Sequence, residues 1–222
     1  WNSFATPTEM LGEGGNDLIF SGVALSSGFG LSQAAAATTL NGTNVIFAGA
    51  GQDRVFAGDA NEAHAFGHVI VGDEARLRLR DEEGKKMFDL EDIAAPRAPY
   101  ENLRGDDWLH FGAGMAHVLA GRGNDAVFAG LKPDGTDAAG QHDLRILTDM
   151  GLIRLLDDTT HVNFMKSAED QTGGDDTAVV ADGDVRLISG GGNDRIWIGY
   201  KASIAPVDPV GVNLDGSDIV DA

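Results

Sequence analysis

The apolar positions of this chain come in short runs. Leu18-Ile19-Phe20, Val45-Ile46-Phe47, Val55-Phe56, Trp108-Leu109, Val127-Phe128, Ala178-Val179-Val180 and Ile196-Trp197-Ile198 each follow closely on glycine, aspartate or asparagine. Runs this short, bounded by turn formers, predict brief strands rather than helices. One segment alternates for longer: Ala75-Arg76-Leu77-Arg78-Leu79-Arg80 predicts a strand with three arginines on one face, turning near Glu83-Gly84 toward Lys85-Lys86-Met87-Phe88. Such an exposed basic strand is expected to pair with the acidic part of the chain. Residues 21–41 are rich in Ser, Ala and Thr and read as a short helix or a surface loop, and residues 131–141, 157–172 and 200–213 read as loops. No apolar run approaches the ~20 residues needed to cross a bilayer.

The short strands belong to a repeat. Gly12-Glu13-Gly14-Gly15-Asn16-Asp17-Leu18-Ile19-Phe20, Ala48-Gly49-Ala50-Gly51-Gln52-Asp53-Arg54-Val55-Phe56, Ala120-Gly121-Arg122-Gly123-Asn124-Asp125-Ala126-Val127-Phe128 and Ser189-Gly190-Gly191-Gly192-Asn193-Asp194-Arg195-Ile196-Trp197 superimpose without gaps. Each has Gly fourth, Asp sixth and an aliphatic residue eighth. Weaker copies end in Asn44-Val45-Ile46, Asp107-Trp108-Leu109, Asp176-Thr177-Ala178 and Asp218-Ile219-Val220.

These nonapeptides closely resemble the GGxGxDxUx repeat of RTX proteins, secreted bacterial calcium-binding proteins. The resemblance implies an all-β fold, a parallel β-roll or β-solenoid with irregular hairpin and loop inserts. In it six residues form a turn, three form a strand, and two nonapeptides make one 18-residue coil. It also implies Ca²⁺ between stacked turns, held by sixth-place carboxylates and loop carbonyls. On this chain that assignment falls on Asp17, Asp53, Asp107, Asp125, Asp143, Asp176, Asp194 and Asp218, with Gly105, Gly121, Gly123, Gly174, Gly190 and Gly192 in the turns.

Spacing tests the geometry. Turns on one edge should recur every 18 residues, as do Asp107, Asp125 and Asp143, and also Asp176 and Asp194; Asn44 and Glu62 are spaced likewise, with Asp53 midway on the opposite edge. Stacking at ~4.8 Å brings neighbouring carboxylates together, and like charges there repel unless a cation intervenes. Calcium, which takes 6–8 oxygens in flexible geometry, suits such a site better than Mg²⁺ or zinc. Ala116 occupies a sixth place without a carboxylate, Glu62 replaces Asp and Asn44 is neutral, so the expected set of sites is partial. Its best members lie between Asp107 and Asp125 and between Asp125 and Asp143.

Composition sharpens this picture. The 222 residues carry 35 acidic and 16 basic side chains, a net charge of −19, 31 glycines and no cysteine. Of the acids 26 are Asp and 9 are Glu, which favours turns over helices. The charge argues against nucleic acid or an anionic membrane as partner, and for cations. The lack of cysteine excludes disulfides and thiolate metal sites.

One repeat-built array over residues 1–222 is therefore expected, with coils near 12–20, 42–73, 103–130, 141–149, 173–199 and 214–222. Inserts fall near 21–41, 74–101, 131–141, 157–172 and 200–213. The chain reads as a piece of a longer protein. His68 to Leu77, Asp143 to Leu155 and Asp176 to Ile188 look like larger units, a strand followed by a small turn with Asp73, Asp149 or Asp182 and a second strand bearing Arg. Ninth-place Phe20, Phe47, Phe56, Phe128 and Trp197 should point outward as an apolar stripe that an insert or a neighbouring subunit covers.

No catalytic motif is present: there is no G-x-S-x-G, H-E-x-x-H or G-x-x-x-x-G-K, and His64, His68, His110, His117, His142 and His161 are scattered. Arg104-Gly105-Asp106 is a by-product of the repeat rather than an adhesion motif. The function expected is non-enzymatic: a calcium-stabilised structural, surface-layer or adhesive protein, located outside the bacterial cell or on its surface and exported by type I secretion. Its expected partners are calcium ions and other copies of itself or other segments of a long chain. The alternative is the calcium-folding tail of a secreted hydrolase or toxin.

Overall fold

A computed structural model describes residues 8–12, 15–21, 23–24, 38–39, 44–60, 67–73, 75–82, 85–92, 105–131, 138, 142–156, 162–167, 173–181, 183–199 and 220–221. Among them there are strands and turns and no helix. In chain order the strands are β1 (Thr8–Leu11), β2 (Leu18–Ser21), β3 (Val23–Ala24), β4 (Thr38–Thr39), β5 (Asn44–Phe47), β6 (Arg54–Ala57), β7 (His68–Val71), β8 (Ala75–Glu82), β9 (Lys85–Asp92) and β10 (Trp108–Phe111). They continue with β11 (Gly114–Leu119), β12 (Ala126–Ala129), β13 (His142–Leu147), β14 (Gly151–Leu156), β15 (Val162–Ser167), β16 (Thr177–Val180), β17 (Asp184–Ile188), β18 (Arg195–Ile198) and β19 (Val220–Asp221).

Two sheets dominate. A seven-stranded sheet has the order β1-β5-β7-β11-β13-β17-β19 and a six-stranded sheet the order β18-β16-β12-β10-β6-β2. Every pairing in them is parallel except β17 with β19. The chain alternates between the sheets, so β1 and β2, β5 and β6, β7 and β10, β11 and β12, β13 and β16, and β17 and β18 occupy successive layers.

Strand alternation directs one face of each sheet into a shared core. Val55, Leu109, Val127 and Ala178, the eighth-place residues of the repeats, are in register and buried, with Ile19 and Ile196 packed at the ends of the row. Facing them are Ile46, Ile70, Val118, Ile146 and Leu187 of the seven-stranded sheet. Ala48, Ala120, Ala129 and Ala178 keep this core thin. Each buried Leu or Ile contributes roughly 1.5–3 kcal/mol, so the layers hold together by addition of many small, equivalent terms.

The second core lies on the other face of the seven-stranded sheet. Val69, Val71, Leu119, Leu147 and Ile188 meet Leu90 and Ile153, with Phe47, Ala75 and Met165 alongside. Leu90, Ile153 and Met165 belong to a four-stranded antiparallel sheet of order β15-β14-β9-β8, built from two separate inserts. Arg154 of β14 donates to Asp89 of β9 at 2.7 and 3.3 Å, fixing the register between the inserts. The cover anticipated for Phe47 is thus an insert.

Several expectations are corrected here. The basic strand β8 forms the edge of the four-stranded sheet, with Arg76 and Arg78 exposed, and pairs with β9 instead of the repeat turns. Residues 157–172 are not all loop, since they contain β15, whose Met165 is drawn to the second core. Ala116 lies inside β11, paired with His68 and Leu144, because the strand begins at Gly114. Of the three larger units only the first two lead into the added sheet; Asp176 to Ile188 simply passes from β16 in one main sheet to β17 in the other. The final weak copy ends in β19, which runs antiparallel to β17. Asp218, Glu62, His64 and most of residues 21–41, 131–141 and 200–213 lie outside the described residues.

Candidate metal centre

All strands of the six-stranded sheet start at the same edge, and each is preceded by an aspartate: Asp17, Asp53, Asp107, Asp125, Asp176 and Asp194. The parallel register makes these six a ladder. The backbone N–H of Asp17 donates to Asp53 Oδ1 at 2.7 Å, Asp53 to Asp107 at 2.8 Å, Asp107 to Asp125 at 2.8 Å, Asp125 to Asp176 at 2.8 Å and Asp176 to Asp194 at 3.0 Å. From Asp53 to Asp194, each carboxylate therefore uses one oxygen to satisfy the amide of the preceding layer.

The other oxygen has no such use. Oδ2 of Asp53, Asp107 and Asp125 is buried without a hydrogen-bond partner. The same holds for Asp176 and Asp194, beside which stand the hydroxyls of Thr148 and Ser189; Thr148 donates instead to the Ser189 carbonyl at 2.9 Å. Buried polar atoms left unpaired are costly and call for an explanation.

Two further ladders flank the first. The fourth-place glycines stack with carbonyl oxygens aimed at the next layer: a Cβ on Gly51 would lie 1.8 Å from Gly15 O, and one on Gly123 2.2 Å from Gly105 O. Gly105 on Gly51, Gly174 on Gly123 and Gly192 on Gly174 repeat the relation. The fifth-place residues form an exposed third row, in which the Asn124 and Asn193 amides donate to Asp106 and Asp175 at 2.8 Å, Asp175 to Asn124 at 2.8 Å and Gln52 to Asn16 at 3.1 Å. This row was missed in the sequence. Its signal is a column of Asn16, Gln52, Asp106, Asn124, Asp175 and Asn193, every one able to accept a hydrogen bond.

Electrostatically the ladder is uncomfortable on its own. Burial, reinforced by the charges of Asp73, Asp53 and Asp106, pushes the Asp107 carboxyl up to about 9. Burial does the same to Asp176, again to about 9, with Asp125 and Asp149 adding to it. Asp125 is raised well above the usual carboxylate range by burial and by Asp107, and Asp53 and Asp194 are raised chiefly by burial. Adjacent unit charges ~5 Å apart repel by roughly 3 kcal/mol at an effective dielectric of about 20.

The placement of Asp143 is a correction. It lies in β13 of the seven-stranded sheet, opposite Met115 and Asp184, and pairs with Arg145. After β12 the chain crosses to that sheet and returns only through β13 and an insert, so the carboxylate stacked on Asp125 is Asp176, 51 residues on. The spacing of 18 between Asp125 and Asp143 has no structural counterpart. Gly105, Gly123, Gly174 and Gly192 lie in the carbonyl stack, and Gly121 and Gly190 lie earlier in the same turns with φ of 119° and 86°.

The four described histidines, His68, His110, His117 and His142, lie within strands and not in the turns of this edge. Buried His68 is held neutral, its pKa lowered to about 4 by burial; Nε2 donates to Gly58 O at 2.8 Å and Nδ1 accepts the Asn44 N–H at 3.3 Å. Among the described residues no three His, Asp, Glu or Cys side chains converge as a metal-binding group. The edge offers one or two carboxylates per layer plus backbone carbonyls, an all-oxygen donor set that fits a hard cation of high coordination number and not zinc. No protein-family model, curated protein or solved structure matches the chain.

Proposed function

We propose that this chain is a calcium-stabilised β-roll of the RTX type. The observation that carries the reading is the row of buried Oδ2 atoms of Asp53, Asp107, Asp125, Asp176 and Asp194, unpaired and adjacent to a parallel stack of glycine carbonyls. Calcium supplies positive charge and takes oxygen ligands. Asp carboxylates from successive layers and the carbonyls of Gly15, Gly51, Gly105, Gly123 and Gly174 are the groups that would hold it. The consequence is ion-linked folding: sites with micromolar dissociation constants at millimolar calcium would each contribute about 4 kcal/mol.

Such a fold is suited to the outside of a bacterial cell, where calcium is plentiful, and to a structural, surface-layer or adhesive role without catalysis. Self-association is supported by the outer face of the six-stranded sheet. Trp108 stacks on Phe128 there with centroids 4.5 Å apart, and Trp108 and Leu18 are 41% and 39% exposed. Equilibrium dialysis of chelator-washed protein against calcium tests the reading. Several ions per chain are expected; fewer than one bound at millimolar calcium would overturn it.

A further inference from the structure

The two inserts leave the repeat array at equivalent points. In the uninterrupted turns the chain runs from the seven-stranded sheet straight to the sixth-place aspartate, as in Ala120 to Asp125 and Ser189 to Asp194. The turn after β7 is instead cut between Gly72-Asp73 and Gly105-Asp106-Asp107, and the turn after β13 between Thr148-Asp149 and Gly173-Gly174-Asp175-Asp176. The glycine and aspartate of the fourth and sixth places survive both interruptions. Each cut also leaves an additional aspartate at its near lip.

Both extra carboxylates turn toward the ladder. Asp73 Oδ2 accepts the Arg122 N–H at 2.7 Å, and Asp149 Oδ2 accepts the Gly191 N–H at 2.7 Å, so each reaches the turn of the next layer. A Cβ on Gly72 would lie 2.3 Å from Asp107 Oδ2, and one on Gly173 2.0 Å from Asp149 Oδ2, so the two lips of each cut are in close contact. The charge of Asp73 is felt at Asp107 and Asp125, and that of Asp149 at Asp125 and Asp176. The central layers thus hold five carboxylates where an uninterrupted array would hold three, and Oδ2 of Asp107, Asp125 and Asp176 is buried there without a hydrogen-bond partner.

We infer that Asp73 and Asp149 are additional calcium ligands that close the split turns as clasps. Asp73 with Asp107 fastens the entry and exit of the insert carrying β8 and β9, and Asp149 with Asp176 does so for the insert carrying β14 and β15. The inference rests on the calcium reading above and adds to it a division of labour. The doubly acidic layers bind most tightly, and their occupancy governs whether the four-stranded sheet stays docked on the second core. Since β9 pairs with β14, the two clasps act on one sheet.

The test is a calcium titration of the full chain, after chelator washing, followed by hydrogen exchange at residues 75–92, 151–167 and 108–129. Asp73→Asn and Asp149→Asn keep an acceptor for the Arg122 and Gly191 amides and remove only charge. Each is expected to raise at least tenfold the calcium concentration that half-protects 75–92 and 151–167, and to move 108–129 less than threefold. Asp73→Glu, which restores the charge, should stay within threefold of the unsubstituted chain at all three. If the unsubstituted chain binds calcium but both Asn variants protect the inserts at concentrations within twofold of it, the clasp is refuted while the ladder reading stands. Asp73→Glu as weak as Asp73→Asn also refutes it, by pointing to packing instead of charge. If the unsubstituted chain takes up no calcium, the ladder reading falls and the clasp with it.

Discussion

The two edges of the paired sheets are made of different chemistry although the same strands run between them. Where the six-stranded sheet begins, six aspartates stand in one row, flanked by stacked glycine carbonyls. Where the seven-stranded sheet begins, the corresponding register column is Asn44, His68, Ala116, Leu144 and Val185, none of them acidic. The carboxylates at that edge are Asp59, which accepts the Ala113 N–H at 2.8 Å, and, one register position before Leu144 and Val185, Asp143 and Asp184, of which Asp143 pairs with Arg145. Parallel stacking alone therefore does not require a charged ladder. One edge closes its layers mainly with apolar and neutral polar groups, while the other concentrates carboxylates where burial raises their pKa; on the reading proposed above, a bound cation relieves that charge.

The sharpest way to break this contrast is to neutralise one carboxylate on each edge. Asp125→Asn, in the middle of the ladder, should weaken the ions on both of its sides and cost up to about 4 kcal/mol for each site lost at saturating calcium. The thermal midpoint in calcium would fall by about 10 °C or more. Asp59→Asn keeps the acceptor for Ala113 and should change stability by less than about 1 kcal/mol. Equal effects in differential scanning calorimetry would erase the distinction between the edges.

A smaller effect is expected from backbone changes. Gly123 has φ 137° and room for no side chain, so Gly123→Ala should cost at least about 2 kcal/mol in urea unfolding. Gly199, with φ 74° and open space around it, should lose about 1 kcal/mol on the same change.

Acidity separates the edges in the opposite direction. The ladder carboxyls are raised in the folded chain above their ordinary value of 3.8, Asp107 and Asp176 to about 9. Without calcium, the folded state keeps protons that the unfolded chain releases. Apo stability is therefore fully present below about pH 4 and is lost as pH rises toward 9, by up to about 1.4 kcal/mol per pH unit and group. Buried His68 and His117, lowered by burial to about 4 and about 3, work against this below pH 6.5, where the unfolded imidazoles take up protons. Calcium should displace ladder protons, so its affinity should rise from pH 5.5 to 7.5 with measurable proton release on binding; affinity independent of pH would contradict the raised carboxyls. The mildest change is Asn124→Ala on the exposed row, expected to cost about 1 kcal/mol by loss of the Asp175 contact.

Much of this edge was legible because the steps from Asp107 to Asp125 and from Asp176 to Asp194 span 18 residues, one uninterrupted coil, and the other sixth-place aspartates share the same Gly-x-Asp turn; the steps from Asp17 to Asp53 and from Asp53 to Asp107 span 36 and 54 residues across inserts. The step to Asp176 spans 51 because an insert interrupts it, and Asp143 stood misleadingly at the regular spacing. Periodicity reports layers only while every layer has the same length. Asp73 and Asp149 were recognisable as turn residues, but their approach to the ladder depends on which turns the inserts split, a fact of tertiary stacking. β15 was read as loop because its partner lies in β14, across residues 157–161. The eighth-place core was the plainest feature, since alternation within a strand needs no knowledge of its neighbours.

The central claim is that calcium, held along the aspartate edge, makes the stacked layers stable. Far-ultraviolet circular dichroism of the chelator-washed chain at pH 7.5, titrated with calcium chloride, addresses it directly. The expected result is a largely unordered spectrum that gains β-structure cooperatively at micromolar to millimolar calcium and loses it again on EDTA. A β-rich spectrum that is the same in EDTA and in calcium, with an unchanged thermal midpoint, would contradict it.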